Sequence, residues 1–228
     1  MILQIETSTQ ICSVSLSDKG EPIALRQLEG SNVHASRLTV LISELMAEGG
    51  FSFHQLDAVA VSMGPGSYTG LRIGVSTSKG LCYALDLPLV AVPTLESMAA
   101  GFKIGYTGQI DAKTLLLPMI DARRMEVYMA VFNDQLESVQ ETTATIVDDN
   151  TFKAMAETNK LLLFGDGADK FEQLFRAAVN MQVFPDFKTS ASHMNELAYK
   201  RFQARQFENL AYFEPYYLKD FVPTTPKR

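Results

Sequence analysis

Tryptophan is absent from this 228-residue chain, cysteine occurs twice and histidine three times. Cys12 and Cys82 both sit inside apolar runs, where a small buried thiol is the ordinary reading, so no disulfide framework is expected and a reduced, cytoplasmic setting follows. None of His34, His54 and His193 has a second ligand at the i+4 spacing of a helical metal pair, so no histidine-based metal site is expected. Positive charge is also short: 20 Lys and Arg stand against 26 Asp and Glu, giving a net charge of −6 and a pI near 5.1. Non-specific affinity for nucleic acid comes from clustered Lys and Arg, so if RNA is involved a partner holds it. No apolar run approaches the roughly 20 residues of a membrane span. The opening MILQIETST enters a strand pattern without a basic leader, and neither a membrane segment nor a targeting segment is expected.

Familiar nucleotide and nucleophile signatures are missing as well. GPGSYTGLR at 64–72 is rich in glycine but lacks the lysine of a Walker loop. Gly64, Gly66 and Gly70 are spaced one residue too far apart for a dinucleotide fingerprint, and Ser67 does not stand in a G-x-S-x-G elbow. Two readings of this segment remain. Either its free N–H groups hold an anion at a helix start, or it is a tight corner that fixes Tyr68 and Arg72 at a cleft.

What is present is a series of elements written twice, in a chain whose 46% hydrophobic content allows a substantial core. Strand patterns at 2–6, 12–16 and 23–28 are followed by a helix over 33–48. It is entered through Ser31 or Asn32, carries Leu38, Leu41, Ile42, Leu45 and Met46 at helical spacing, and stops at Gly49 and Gly50. A buried strand at 57–63, a helix after the glycine-rich corner, a strand at 89–92 and a helix at 95–102 complete the first series. The second has strands at 115–121, 126–132 and 141–147, a helix at 151–157, a strand at 161–165, a helix at 170–179, a short strand at 183–184 and a long helix at 192–206. The polar, glycine-bearing stretch 103–113 separates the two. Two α/β lobes, residues 1–103 and 104–228, are expected to face each other across a cleft. Tyr216, Tyr217 and Leu218 would pack at the lobe junction, and the last six residues would form a loose tail. This element order describes the ribonuclease H-like architecture of the actin, sugar kinase and Hsp70 group.

In that architecture the first hairpin of each lobe points into the cleft, which places Glu6, Thr7, Ser8 and Thr9 opposite Asp121, Ala122, Arg123 and Arg124. A phosphate hairpin needs glycine so that backbone N–H groups can approach the oxygens. The first hairpin has a carboxylate and hydroxyls but no glycine; the second has neither glycine nor hydroxyl. Arg123 and Arg124 either grip a phosphate or carboxylate or form a solvated charge pair. The candidate cleft set is therefore Glu6, Thr7, Ser8, Gly64, Gly66, Ser67, Tyr68, Arg72, Asp121, Arg123 and Arg124. The helix after the corner carries Gly70, Gly74, Thr77, Ser78 and Leu81 at steps of three or four. Its nearly bare face admits a close helix contact, either with helix 33–48 or with another subunit. No catalytic residue is assigned.

ILQIETST, CSVSL, HASRL, GPGSYTGLRIG, DARRMEVY and YYLKD, in that order, resemble the TsaB family. This is the dimerisation subunit of the bacterial machinery that makes threonylcarbamoyladenosine in tRNA, beside the anticodon of tRNAs reading codons that begin with A. The resemblance implies a non-catalytic subunit that supports the transferase TsaD. The family's intermediate comes from TsaC, and the ATPase TsaE joins the complex. It also implies a homodimer when the chain is alone, contact with tRNA only through the complex, and no cofactor of its own, since ATP or ADP and the metal belong to the partners. TsaD binds metal through a His-x-x-x-His pair, whereas here His34 is followed by Leu38. Glu6 departs from the aspartate of many relatives. The implied partner surface is His34, Leu38, Leu41 and Leu45 on the first helix with Gly70, Gly74, Thr77, Ser78 and Leu81 on the second, and Gly74→Leu is expected to block assembly while sparing the fold. The competing expectation is an ATP-dependent phosphotransferase with Glu6 and Asp121 around magnesium. An older peptidase label for the family finds neither a metal pair nor a nucleophile set in this chain.

Overall fold

The computed structural model describes residues 1–30 and 32–219; the expected helix-entry residue Ser31 and the expected loose tail lie outside them. Among the described residues ten strands form two five-stranded sheets. The first contains β1 (Ile2–Glu6), β2 (Ile11–Asp18), β3 (Glu21–Glu29), β4 (Ala58–Ser62) and β5 (Leu89–Val92), in the order β3-β2-β1-β4-β5. The second contains β6 (Thr114–Asp121), β7 (Glu126–Phe132), β8 (Ser138–Ile146), β9 (Lys160–Phe164) and β10 (Met181–Phe184), in the matching order β8-β7-β6-β9-β10. In both sheets the first three strands pair antiparallel and the last two add in parallel. The repeated element order of the sequence is thus a repeated topology.

The first sheet is covered on one face by α1 (Val33–Glu48) and α2 (Tyr68–Leu85). Leu3 and Ile5 of β1 and Val59 and Val61 of β4 meet Leu38, Leu41, Leu45 and Val75 there, as the two-residue period of a strand and the i, i+3, i+4 period of a helix require. α3 (Thr94–Gly105) lies between the sheets. Its Leu95, Met98, Ala99 and Phe102 pack on Leu116, Ile120, Leu162 and Phe164 of the second sheet, with the Phe102 and Phe164 rings stacked at 4.0 Å. Its Ala100 joins Ile2, Ala58 and Val90 on the other face of the first sheet.

The C-terminal part departs from the expected plan. The long helix expected at 192–206 is a 3-10 turn, Ala191–Met194, followed by a helix of nine residues, α7 (Asn195–Gln203), and both return to the first sheet. The reason lies in β2, whose alternate residues are serines: Ser13 Oγ accepts from the Ala191 amide at 3.0 Å and Ser15 Oγ donates to Asn195 Oδ1 at 3.1 Å. The expected helices 151–157 and 170–179 are the single turns α4 (Lys153–Ala156) and α6 (Glu172–Phe175), and a further single turn, α5 (Asp166–Asp169), lies between them where no helix was expected. Phe171 and Phe175 fill the core of the second lobe, but Val179 is 79% exposed, so no apolar face continues the helix.

His193 belongs to this returning segment. Its ring stacks on Phe187 at 5.4 Å and covers Gly101 of α3, where any Cβ would overlap the imidazole. Burial lowers its pKa from the ordinary 6.5 to about 4, and Nδ1 has no hydrogen-bond partner. The folded state therefore refuses a proton that the unfolded chain accepts. Folding stability should fall as the pH drops from about 6.5 towards 4, and His193→Phe should flatten that part of a melting-temperature profile. An unchanged slope in the variant would assign the acid lability elsewhere.

Candidate functional site: the interlobe cleft and the first two helices

A cleft of about 690 Å³ opens between the lobes. Of the residues expected there, Ser8, Gly66, Ser67, Tyr68, Asp121 and Arg123 line it, while Glu6, Thr7, Gly64, Arg72 and Arg124 do not. His34 and Gly70, expected on a partner surface, lie on its wall instead.

Glu6 is 1% exposed and closes a local turn: its Oε1 accepts from the Ser8 amide at 2.6 Å and from Ser62 Oγ at 2.9 Å. Burial raises its pKa above the ordinary 4.5, opposed by the hydrogen bonds from Ser8 and Ser62. This buried carboxyl does not line the cleft, and the Ser8 amide that a phosphate would need is already engaged. The Ser8 carbonyl in turn accepts from the Ser67 amide at 2.6 Å and fits against Gly66, where a Cβ would overlap it.

The second hairpin is built differently. Arg123 and Arg124 have φ of +75° and +52°, a left-handed conformation that costs a side-chain-bearing residue about 1–2 kcal/mol. Lys170 Nζ sits beneath the turn and donates to Asp121 Oδ1 at 2.5 Å and to the carbonyls of Arg124 and Glu126 at 2.8 Å each. Asp121 Oδ1 also accepts from the Arg123 amide at 2.9 Å. The carboxylate is occupied in holding the hairpin, and both guanidinium groups are left exposed at its tip.

The expected partner surface needs a larger correction. His34, Leu38, Leu41, Leu45, Gly70, Gly74 and Ser78 are all buried within the chain, and Thr77 and Leu81 are half-buried. His34 Nε2 meets the Ile11 carbonyl at 3.2 Å, and the leucines belong to the core beneath the first sheet. The bare face of α2 is taken by the β1–β2 turn: a Cβ at Gly70 would overlap the Thr7 carbonyl, and one at Gly74 would overlap Thr7 Oγ1. The glycines thus admit an intramolecular neighbour.

The outward face of the two helices consists of other residues, missed by sequence reasoning. Ala35, Thr39 and Ser43 on α1 and Ser76, Gly80 and Tyr83 on α2 are exposed, Tyr83 by 85%. Nothing lies within 4 Å of the position a Cβ would take at Gly80. A signal for this face was in the sequence: these positions are the complement of the apolar period that marks the buried side.

Topology and cleft together define a two-lobed α/β protein in which each lobe is built on a five-stranded sheet of the same strand order. The chain belongs to the TsaD family, tRNA N6-adenosine threonylcarbamoyltransferase, whose family model matches residues 29–227. It is similar to the tRNA threonylcarbamoyladenosine biosynthesis protein TsaB of Haemophilus influenzae, 27% identical over 97% of this chain and 94% of that protein. The protein of the same name from Escherichia coli K12 is 28% identical, covering 97% and 95%. The crystal structure of YeaZ from Pseudomonas aeruginosa superposes with a TM-score of 0.76 at 24% identity over 95% of this chain and 99% of that one, a likeness of fold.

The residues that the sequence offered to a metal or nucleotide have partners within the chain. Leu38 is 1% exposed in the position of a second histidine ligand, His34 is bonded to the Ile11 carbonyl, and Asp121 is paired with Lys170. Among the described residues no three His, Cys, Asp or Glu side chains converge as a ligand set.

Two outcomes are expected. Because the folded carboxyl of Glu6 holds its proton above the pH at which the unfolded chain releases it, stability attributable to this residue should decline as pH rises above about 4.5. Glu6→Gln, which keeps the acceptor for Ser8 and Ser62, should remove that decline; a wild-type slope in denaturant titrations of the variant would contradict the assignment. Gly74→Leu should destabilise the isolated chain by about 1–3 kcal/mol through overpacking against Thr7, and a variant that melts like wild type would show that the turn yields.

Proposed function

We propose that the chain is a non-catalytic subunit that binds TsaD and supports the formation of threonylcarbamoyladenosine beside the anticodon of tRNAs reading codons that begin with A. The observation that carries this reading is Gly80. Glycine inside a helix costs about 1 kcal/mol relative to alanine, and unlike Gly70 and Gly74, Gly80 has no neighbour within the chain that requires it. Ala35, Thr39 and Ser43 of α1 and Ser76 of α2 are small and exposed like it, and the exposed ring of Tyr83 follows three residues on. A helix pair from another subunit can approach such a face closely. Membership of the TsaD family and similarity to the TsaB proteins support the identity of that subunit.

The same face serves a homodimer when the chain is alone, in competition with TsaD. TsaE joins the larger complex, tRNA is contacted through the complex, and ATP or ADP and the metal are held by the partners. The setting is cytoplasmic; no described helix is long and apolar enough to cross a membrane. The phosphotransferase alternative is disfavoured by the burial of Glu6 behind Ser8 and Ser62 and by the Lys170 ammonium that already pairs with Asp121.

Gly80→Arg places a charge on this face at a position with open space around it, so the fold should keep its melting temperature. In sedimentation with the TsaD of the same organism the variant should lose the complex that the wild type forms. Retention of full affinity by the folded variant would remove α2 from the interface. Micromolar Mg-ATP binding by the chain alone, lost on Glu6→Ala, would favour the phosphotransferase.

A further inference from the structure

Beyond α7 the chain runs along α2 without helix or strand, apart from one bridge between Glu208 and Leu89. Lys79 Nζ donates to the carbonyls of Ala211 and Phe213 at 3.4 and 3.1 Å, and the Phe213 ring enters the core of the first lobe. Further on, the Tyr216 amide donates to the Met63 carbonyl at 2.7 Å. The Tyr216 carbonyl lies against Gly64, where a Cβ would stand only 2.5 Å away and where φ is +114°. That glycine therefore answers to the C-terminal segment as well as to the corner it sits in.

Tyr217 then packs against Tyr68, the rings tilted by 35° with centroids 4.6 Å apart. The Arg72 guanidinium lies 4.2 Å over the Tyr68 ring, and its Nε donates to Tyr217 Oη at 3.1 Å. Two residues later Lys219 reaches the other lobe and pairs with Glu126 of β7 at 2.5 Å. Glu126 follows directly on the arginine hairpin, and its carbonyl is one of the three acceptors of Lys170. The segment is thus fastened to α2 at Lys79 and at its first two turns, and to the second lobe at Lys219.

We infer that residues 207–219 form a latch that couples the angle between the lobes to the setting of α2. Its contacts beyond Phe213 are individually modest: the Tyr216 and Tyr217 hydrogen bonds, one tilted ring pair, one cation over a ring, and one part-exposed ion pair. They release locally without unfolding the core, which gives the docked and undocked states that coupling between two regions requires. Docked, the latch holds the first turn of α2 and the β6–β7 hairpin in one arrangement; undocked, the two lose this shared tie while α3 still packs on both sheets. The consequence for partner binding rests on the proposed function, since it takes the outer face of α2 as the surface that is set; the latch itself does not.

Hydrogen exchange on the full chain without a partner tests it, comparing wild type with Tyr217→Ala at the α2 end and Lys219→Ala at the far end. Each variant should speed exchange about twofold to fivefold at the Tyr216 amide, in the first turn of α2 and across 122–126, including the region remote from its own side chain. Arg72→Ala removes the ring contact from the helix side and should reproduce the Tyr217→Ala pattern. Changes confined to the neighbours of each substituted residue, or no change, would overturn the latch. A second arm measures sedimentation with TsaD: Tyr217→Ala should weaken the wild-type complex several-fold. Equal binding by Tyr217→Ala would overturn the coupling to the partner face. If the wild type itself forms no complex, the proposed function fails while the exchange result still decides the latch.

Discussion

Thr7 lies across α2 where positions 70 and 74 have no side chains, with its carbonyl over the first glycine and its hydroxyl over the second. The geometry of the first lobe follows from that contact. It draws the β1–β2 turn down onto the helix, so that the Ser8 amide meets Glu6 and the Ser8 carbonyl meets Ser67, and the turn has no backbone donor at Ser8 to offer a phosphate. It also sets the rotation of α2 about its own axis. With Gly70, Gly74 and Ser78 facing inward, Thr69, Ser76, Gly80 and Tyr83 face out. The hairpin serves as a wedge for a helix, and the helix keeps an exposed outer face.

The second lobe repeats the topology and solves the same position by other means. A lysine ammonium, rather than a pair of glycines, organises its hairpin, and the arginines that crown it adopt backbone angles ordinarily left to glycine. Between the lobes, α3 gives one face to each sheet, and the histidine packed over Gly101 is kept neutral by burial. Glu6 and His193 respond to burial in opposite senses, the acid raised and the imidazole lowered. Both carry the same message, that these sites exclude charge and are parts of the scaffold.

The two lobes were legible because strand alternation and helical periodicity are local: Leu38, Leu41 and Leu45 announce a buried face whatever they are buried against. That same periodicity was misapplied when those leucines were assigned to a partner, since a residue committed to its own core has no surface left to offer. The glycines of α2 were misassigned for a different reason. Their spacing shows that something approaches closely, but Thr7 is more than sixty positions away in the chain and only the tertiary fold brings it there. The return of α7 to the first sheet was hidden likewise, because serines alternating along β2 read as an ordinary exposed strand face until Ala191 and Asn195 meet them. Glu6 looked like a cleft carboxylate from its place at a strand end, and it is the turn after it, closing back on Oε1, that removes it from the cleft.

The account makes the chain a structural partner whose chemistry resides in another subunit, and reconstitution addresses that claim most directly. Threonylcarbamoyl transfer to tRNA should be measured with this chain alone, with the TsaD of the same organism alone, and with the two together, each supplied with TsaE and the activated intermediate. The expected result is transfer only when both are present. Full transfer by TsaD and TsaE without this chain, or transfer by this chain without TsaD, would contradict it.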